Sequence, residues 1–212
     1  MKSQLLFFLA CATFISYAQS SVGIFDNHAD IGNPKKAGST SYDVGTQVYN
    51  IKGAGYNIWF GRDELQYAYK KIKGDFVLTA NFEFVGNGME LHRKIGWMVR
   101  NNTDDNSAHV TATLHGDGLI ALQWRLLKGA LMRDPEDEIF FPKTKAQVIQ
   151  LERLGKKFIM RVANWGEPLQ VVGSTKMESI SDEVLAGIFI SSHNEANFEE
   201  ANVWNVRIDR PV

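Results

Sequence analysis

The stretch "HVTATLHGDGLIALQWR", residues 109–125, has the pattern of a β-hairpin. Two runs of alternating apolar and polar residues flank Gly116-Asp117-Gly118, which is a sequence typical of a tight turn. Successive side chains of a strand point to opposite faces of its sheet. The hairpin therefore has an apolar row that we expect in the core, comprising Ala108, Val110, Ala112, Leu114, Ile120, Leu122, Trp124 and Leu126.

The same period-two pattern recurs along the rest of the chain, with turn residues between the runs. The only segment that suggests a helix is a short turn near residues 179–183. A dozen short strands without a long helix predict an all-β fold, namely a two-sheet antiparallel jelly-roll sandwich. The predicted strands are 47–51, 56–60, 65–72, 75–85, 94–101, 108–115, 119–127, 147–154, 157–164, 169–174, 184–192 and 202–208.

The strand "DFVLTANFEFV", residues 75–85, indicates where the two sheets meet. One of its faces is wholly apolar, so we expect that face to be buried between the sheets. The opposite face, which carries Thr79 and Asn81, is expected to contact water. The apolar row consists of Phe76, Leu78, Ala80, Phe82 and Phe84.

The first 18 residues have the pattern of a signal peptide. Lys2 precedes an apolar run over 5–15, and Ser16-Tyr17-Ala18 has the small-x-small form of a cleavage site. Cleavage there predicts a mature single domain over 19–212 that is exported to the periplasm or beyond the cell. It also removes Cys11, the only cysteine, which could alternatively carry a lipid.

The charge balance argues against two classes of partner. The chain has 23 basic and 24 acidic residues, so nothing in it favours a polyanion such as nucleic acid. The apolar run over 5–15 is too short to span a bilayer and no longer apolar stretch follows, so no membrane span is predicted.

The polar row of the hairpin is the candidate binding site. If strands 94–101 and 184–192 lie beside the hairpin, their polar side chains share its polar face. Guanidinium, imidazole, hydroxyl and amide groups together could bind a polyhydroxylated ligand. The alternative is an ordinary solvated sheet face. The residues are Arg100, His109, Thr111, His115, Gln123, Arg125, Ser191 and His193.

Other chemistry has less support in the residues. Glycosidases of a sandwich fold need two carboxylates across a cleft, and no Glu-x-Asp-x-x-Glu run is present. No catalytic residue is therefore predicted.

The segment "FDNHADIGN" gathers Asp26 and Asp30 in a turn-rich stretch that could hold a structural calcium, although such residues also form ordinary turns. Trp59 and Trp165 are candidates for flat apolar surfaces at a loop rim.

Several segments together carry a family resemblance: "FDNHADIGNPKKAGSTSYD", "HRKIGWMVRNN", "HVTATLHGDGLIALQWR" and "GIFISSHN". The chain resembles the concanavalin A-like lectin/glucanase superfamily, and in particular an exported module that precedes TolB-type propeller repeats. The resemblance implies a jelly roll that binds carbohydrate or a cell-envelope polymer on one sheet. The alternatives are a glycoside hydrolase-like enzyme and an adaptor that docks on a TolB-like propeller protein.

Overall fold

The computed structural model describes residues 22–211. The predicted signal peptide and Cys11 lie outside this range. The described residues form two antiparallel sheets of seven strands each, without helix, which confirms the predicted jelly-roll sandwich. Among them there is no helix long and apolar enough to cross a bilayer.

The first sheet has the strand order β1-β4-β13-β6-β7-β8-β9. The hairpin of residues 109–125 forms β7 and β8, and β6 and β13 lie next to it as the site prediction requires. The strands are β1 (Asn27–Ile31), β4 (Leu65–Lys73), β6 (Lys94–Arg100), β7 (His109–His115), β8 (Ile120–Arg125), β9 (Glu138–Phe140) and β13 (Glu183–Ser191).

The second sheet has the order β12-β11-β10-β5-β14-β3-β2, so β5 and β14 lie near its centre. Its longest strand, β14, has a register shift between Trp204 and Arg207. The strands are β2 (Ser39–Asp43), β3 (Val48–Gly55), β5 (Phe76–Phe84), β10 (Val148–Leu154), β11 (Lys157–Ala163), β12 (Gln170–Lys176) and β14 (Asn194–Asp209).

The core lies between the sheets and contains the rows that alternation predicted. Val110, Leu122 and Trp124 from the hairpin pack in one cluster with Phe76 and Phe82 of β5. Trp97 is fully buried there, and its indole N–H donates to the carbonyl oxygen of Ile149 at 3.0 Å. Burial of such large side chains is the main force that holds the two sheets together.

Three short strands, the first half of β14 over 194–201 and one loop differ from the sequence prediction. Strands β1, β2 and β9 were not predicted, because they are short edge strands whose pairing depends on the neighbouring strand. Residues 56–60, which were predicted as a strand, belong instead to a loop over 56–64. That loop decides the environment of the candidate site.

Candidate functional site

The strand register brings the predicted binding residues to one face of the first sheet. Arg100 of β6 lies opposite His109 of β7, which lies opposite Arg125 of β8. One end of the same face carries His115 and Ser191, which pair from either side with Lys94. We call this face, which is turned away from the core, the outer face of the first sheet.

Two loops cover this face. Residues 56–64 lie over it, with Ile58 fully buried against Met98 and Phe189. Residues 126–137 join that loop through a hydrogen bond from the Met132 N–H to the Phe60 carbonyl oxygen.

The alternative of an ordinary solvated face is therefore wrong, because loop packing removes this face from water. All the predicted residues on the strands are buried; only His193, in the turn after β13, is partly exposed. The buried set is Arg100, His109, Thr111, His115, Gln123, Arg125 and Ser191.

Asp63 fixes the covering loop 56–64 to the sheet. Its carboxylate accepts two hydrogen bonds from Arg125, at 2.8 and 2.6 Å, and one from Arg100 at 3.3 Å. The His109 Nε2 atom lies 3.6 Å from the same carboxylate. All four side chains are fully buried. Each of these buried charges is neutralised by the others, so removing one leaves its partners buried and unpaired. We call this group of Asp63, Arg100, His109 and Arg125 the clamp.

The ionisation of this cluster follows from its burial. Burial opposes ionisation of Asp63, but His109, Arg125 and Arg100 hold the pKa of its carboxyl well below the usual range. Burial lowers the pKa of His109 to about 4, so its ring is neutral at pH 7. The guanidinium groups of Arg100 and Arg125 are thus committed to Asp63.

The other end of the face has a different character. The rings of His92 and His193 lie 5.4 Å apart between centroids, and those of His92 and His115 lie 6.4 Å apart. The Lys94 ammonium donates to the Asn57 side-chain oxygen at 3.0 Å and to the His92 carbonyl oxygen at 2.9 Å. Three imidazoles and one ammonium therefore gather where the sheet meets loop 56–64.

Burial also weakens the positive charge of this end. It lowers the pKa of Lys94 to about 8 and that of His115 to about 3. Burial and the nearby Lys94 likewise lower the pKa of His193. A neutral imidazole both donates and accepts hydrogen bonds, which suits hydroxyl ligands.

Several buried polar atoms on this face have no hydrogen-bond partner among residues 22–211. They are Thr113 Oγ1, Gln123 Oε1, Ser191 Oγ and His193 Nδ1, together with both ring nitrogens of His109. An unpaired buried polar group costs about 1–3 kcal/mol, so each of these atoms needs a partner such as a water molecule or a ligand. Ser191 and His193 lie at the end of the face away from Asp63, and Thr113 lies one pair from that end. Gln123 lies between the two ends, opposite Thr111.

Strand β9 forms the open edge of this end. Glu138 pairs with Gln123 and accepts a hydrogen bond from its amide at 3.0 Å. Phe140 pairs with Ala121 and is 48% exposed, so an aromatic ring stands at the rim. Burial raises the pKa of Glu138.

The structure adds Asp63, His92, Lys94 and Glu138 to the predicted residues. Lys94 could have been found, because it alternates in phase with Gly96, Met98 and Arg100 in "KIGWMVR". Asp63 had no local signal, since it lies in a loop and meets Arg100 and Arg125 only in the folded chain.

The calcium prediction placed Asp26 and Asp30 in a turn-rich stretch. The structure instead places Asp30 in β1 and Asp26 just before it, so the two residues lie about 13 Å apart along an extended chain. Asp30 accepts hydrogen bonds from the Gly38 N–H, and Asp26 accepts them from Lys70 and the Lys71 N–H. Within 22–211, no three His, Cys, Asp or Glu side chains are grouped to hold a metal. The prediction of a turn-rich stretch is therefore wrong for residues 27–31, which form β1.

Comparison with known proteins supports the fold. No protein-family model matches the chain, and no curated protein sequence matches it. Among solved structures, a functionally unknown protein from Saccharomyces cerevisiae aligns with a TM-score of 0.62 and 14% identity, over 87% of this chain and 97% of that one.

A lectin and an alginate lyase show the same architecture. Lectin UEA-II, complexed with galactose, aligns with a TM-score of 0.54 and 8% identity, over 87% of this chain and 98% of the lectin. The alginate lyase AlgAT5 from polysaccharide lyase family 7 aligns with a TM-score of 0.52 and 8% identity, over 82% of each chain. The chain therefore has the concanavalin A-like lectin fold, and these likenesses concern its fold alone.

Proposed function

We propose that the protein binds carbohydrate on the outer face of the first sheet, at the end formed by His115, Gln123, Ser191 and His193. The observation that carries this proposal is the group of unpartnered hydroxyl, amide and imidazole atoms there. Sugar hydroxyls both donate and accept hydrogen bonds, so they match such a group. The Phe140 ring at the rim supplies an apolar surface for a sugar ring.

The approach of the ligand follows from the two covering loops. Loops 56–64 and 126–137 cover the Asp63 end, and Asn57 of the first loop also reaches Lys94 at the other end. His193, Glu138 and Phe140 remain partly exposed at that other end. A ligand therefore reaches this end at its accessible side chains, which are Glu138 and Phe140 on β9 and His193 after β13. Since Arg100 and Arg125 hold Asp63, we assign them to stability rather than to ligand contact, which revises their predicted role.

The physiological ligand we propose is a polymer of the cell envelope or another carbohydrate met after export. The fold shared with lectin UEA-II supports the carbohydrate class. Export to the periplasm or beyond, and docking on a TolB-like propeller protein, stay predictions of the sequence.

The test is binding of the chain from Gln19 onward to a glycan array and to insoluble polysaccharides. We expect Phe140→Ala to weaken any binding at this end by about tenfold, because it removes one aromatic contact from an exposed position. His193→Ala removes one of the unpartnered donors or acceptors and should weaken binding as well.

Phe198→Ala is the matched control, since Phe198 is an exposed aromatic residue on β14 of the second sheet. Binding that Phe140→Ala and His193→Ala reduce, and that Phe198→Ala leaves unchanged, supports the proposal. Folded protein that binds no glycan, or binds equally in all three variants, contradicts it.

A further inference from the structure

A groove of about 860 Å³ lies on the outer face of the second sheet, opposite to the face discussed above. It crosses β11, β10, β5 and β14 and reaches the turn between β2 and β3. Trp165 lies at one end and Tyr42 at the other. The polar lining consists mainly of neutral side chains, namely Gln47, Thr79, Asn81, Gln150, Asn164 and Asn205.

Asn81 is the central polar residue of the groove. Its side chain was expected to contact water, but it is only 3% exposed. The Asn81 Oδ1 atom accepts a hydrogen bond from the Asn205 amide at 3.1 Å, whereas its Nδ2 has no partner among residues 22–211. A buried amide that keeps unpaired N–H donors in a groove is suited to a ligand that accepts them.

The backbone of β14 is arranged to supply a second amide. The register shift between Trp204 and Arg207 creates a bulge, and Asn205 within it has a φ of 53°. Bulges re-aim side chains, and asparagine tolerates this left-handed conformation better than most residues. The bulge therefore directs the Asn205 amide to Asn81.

Hydrogen bonds also hold the floor of the groove in place. The Gln150 amide donates to Thr79 Oγ1 at 3.1 Å, and Arg161 donates to Gln150 Oε1 at 3.0 Å. Polar groups with fixed orientation lose little conformational entropy when a ligand binds.

Trp165 provides the apolar surface. It lies in the turn between β11 and β12, and its side chain is 66% exposed. The turn is held by a hydrogen bond from the Trp165 N–H to Gln147 Oε1 at 3.0 Å and by one from Asn164 to Glu167 at 3.1 Å. A large aromatic ring kept in water at the rim of an amide-lined groove is suited to stacking.

We infer that this groove is a second binding site and that its ligand is a neutral oligosaccharide. The groove has one acidic and one basic residue, Glu167 and Arg207, so it does not select an ionic ligand. Sugar hydroxyls match the amides of Asn81 and Gln150, and the C–H face of a sugar ring matches Trp165. The site shares no residue with the outer face of the first sheet, so the inference stands independently of the function proposed there.

The test is a titration of the ¹⁵N-labelled chain from Gln19 onward with four neutral hexasaccharides: cellohexaose, laminarihexaose, maltohexaose and chitohexaose. Two-dimensional NMR follows the indole N–H of Trp165 and the side-chain NH₂ of Asn81, each assigned by its loss in Trp165→Ala or Asn81→Ala. We expect both signals to shift with at least one probe. We also expect Trp165→Ala to raise the Kd at the groove at least about tenfold.

Phe60→Ala is the matched control, because Phe60 is an aromatic residue, 56% exposed, outside the groove. It should leave the shift of Asn81 unchanged. The inference is overturned if no probe shifts the two groove signals, or if Trp165→Ala leaves the shift of Asn81 intact. Shifts confined to residues such as His193 and Gln123 would support the first site and overturn this one, and binding of unstructured peptides alone would also overturn it.

Discussion

Replacement of Asp63 by alanine is expected to lower the free energy of unfolding by about 3–5 kcal/mol. The substitution leaves the guanidinium groups of Arg100 and Arg125 buried without an anion, and it detaches loop 56–64 from the sheet. A loss of this size is a large part of the stability of an ordinary domain. Urea denaturation followed by tryptophan fluorescence measures it.

Asp104→Ala is the matched control, because Asp104 pairs with Lys128 at the surface. Exposed pairs contribute about 0–1 kcal/mol, so we expect only a small change. In the Asp63→Ala background, Arg125→Met should cost less than it does in the wild-type chain, since no carboxylate remains to pair with Arg125. Equal losses from Asp63→Ala and Asp104→Ala would refute the clamp.

The second large expected effect is a dependence of the free energy of unfolding on pH. We expect the free energy of unfolding to fall as the pH is lowered from about 6.5 to about 4. Burial lowers the pKa of His109 to about 4 and that of His115 to about 3, whereas histidines in the unfolded chain take up protons near pH 6.5.

The sign follows from proton linkage. Between these values the unfolded state binds up to two more protons than the folded state, so stability is present above pH 6.5 and is lost on acidification. The slope near pH 5 is expected to reach about 2.7 kcal/mol per pH unit for two protons. Urea denaturation at several pH values measures this slope.

Single variants separate the contributions of the two histidines to this slope. His109→Gln and His115→Gln should each remove one proton's share of the slope, because glutamine does not titrate. His28→Gln is the matched control, since His28 is a half-buried residue on β1 outside the cluster. An NMR titration of the wild-type protein provides an independent check: if the rings of His109 and His115 take up protons above pH 6, the explanation is wrong.

The outer face of the first sheet shows what the local sequence pattern can predict and what it cannot. Alternation in "KIGWMVRNN" and "HVTATLH" predicted that Arg100, His109 and His115 share a face, and the register confirms this. The pattern did not distinguish a residue that pairs with Asp63 from one that meets a ligand. That distinction depends on loop 56–64, which is distant in sequence from β6 and β7.

The groove on the second sheet shows the same difference between what the sequence predicts and what only the tertiary structure decides. The sequence indicated that Trp165 lies beside a turn and that Asn81 faces away from the core. It contained no local signal that the bulge at Asn205 reaches Asn81, or that Asn81 is buried. Such contacts join strands that are far apart in sequence and adjacent in the sheet.

The sequence by itself determined the two-sheet sandwich, the apolar rows of its core and the polar row of the hairpin, because side-chain alternation is a local property of a strand. Only the tertiary structure decided which polar residues are covered, which are paired and which keep unpartnered atoms. Burial and charge compensation depend on segments that the fold brings together over long sequence separations, as Asp63 does when it meets Arg100 and Arg125 under the covering loop.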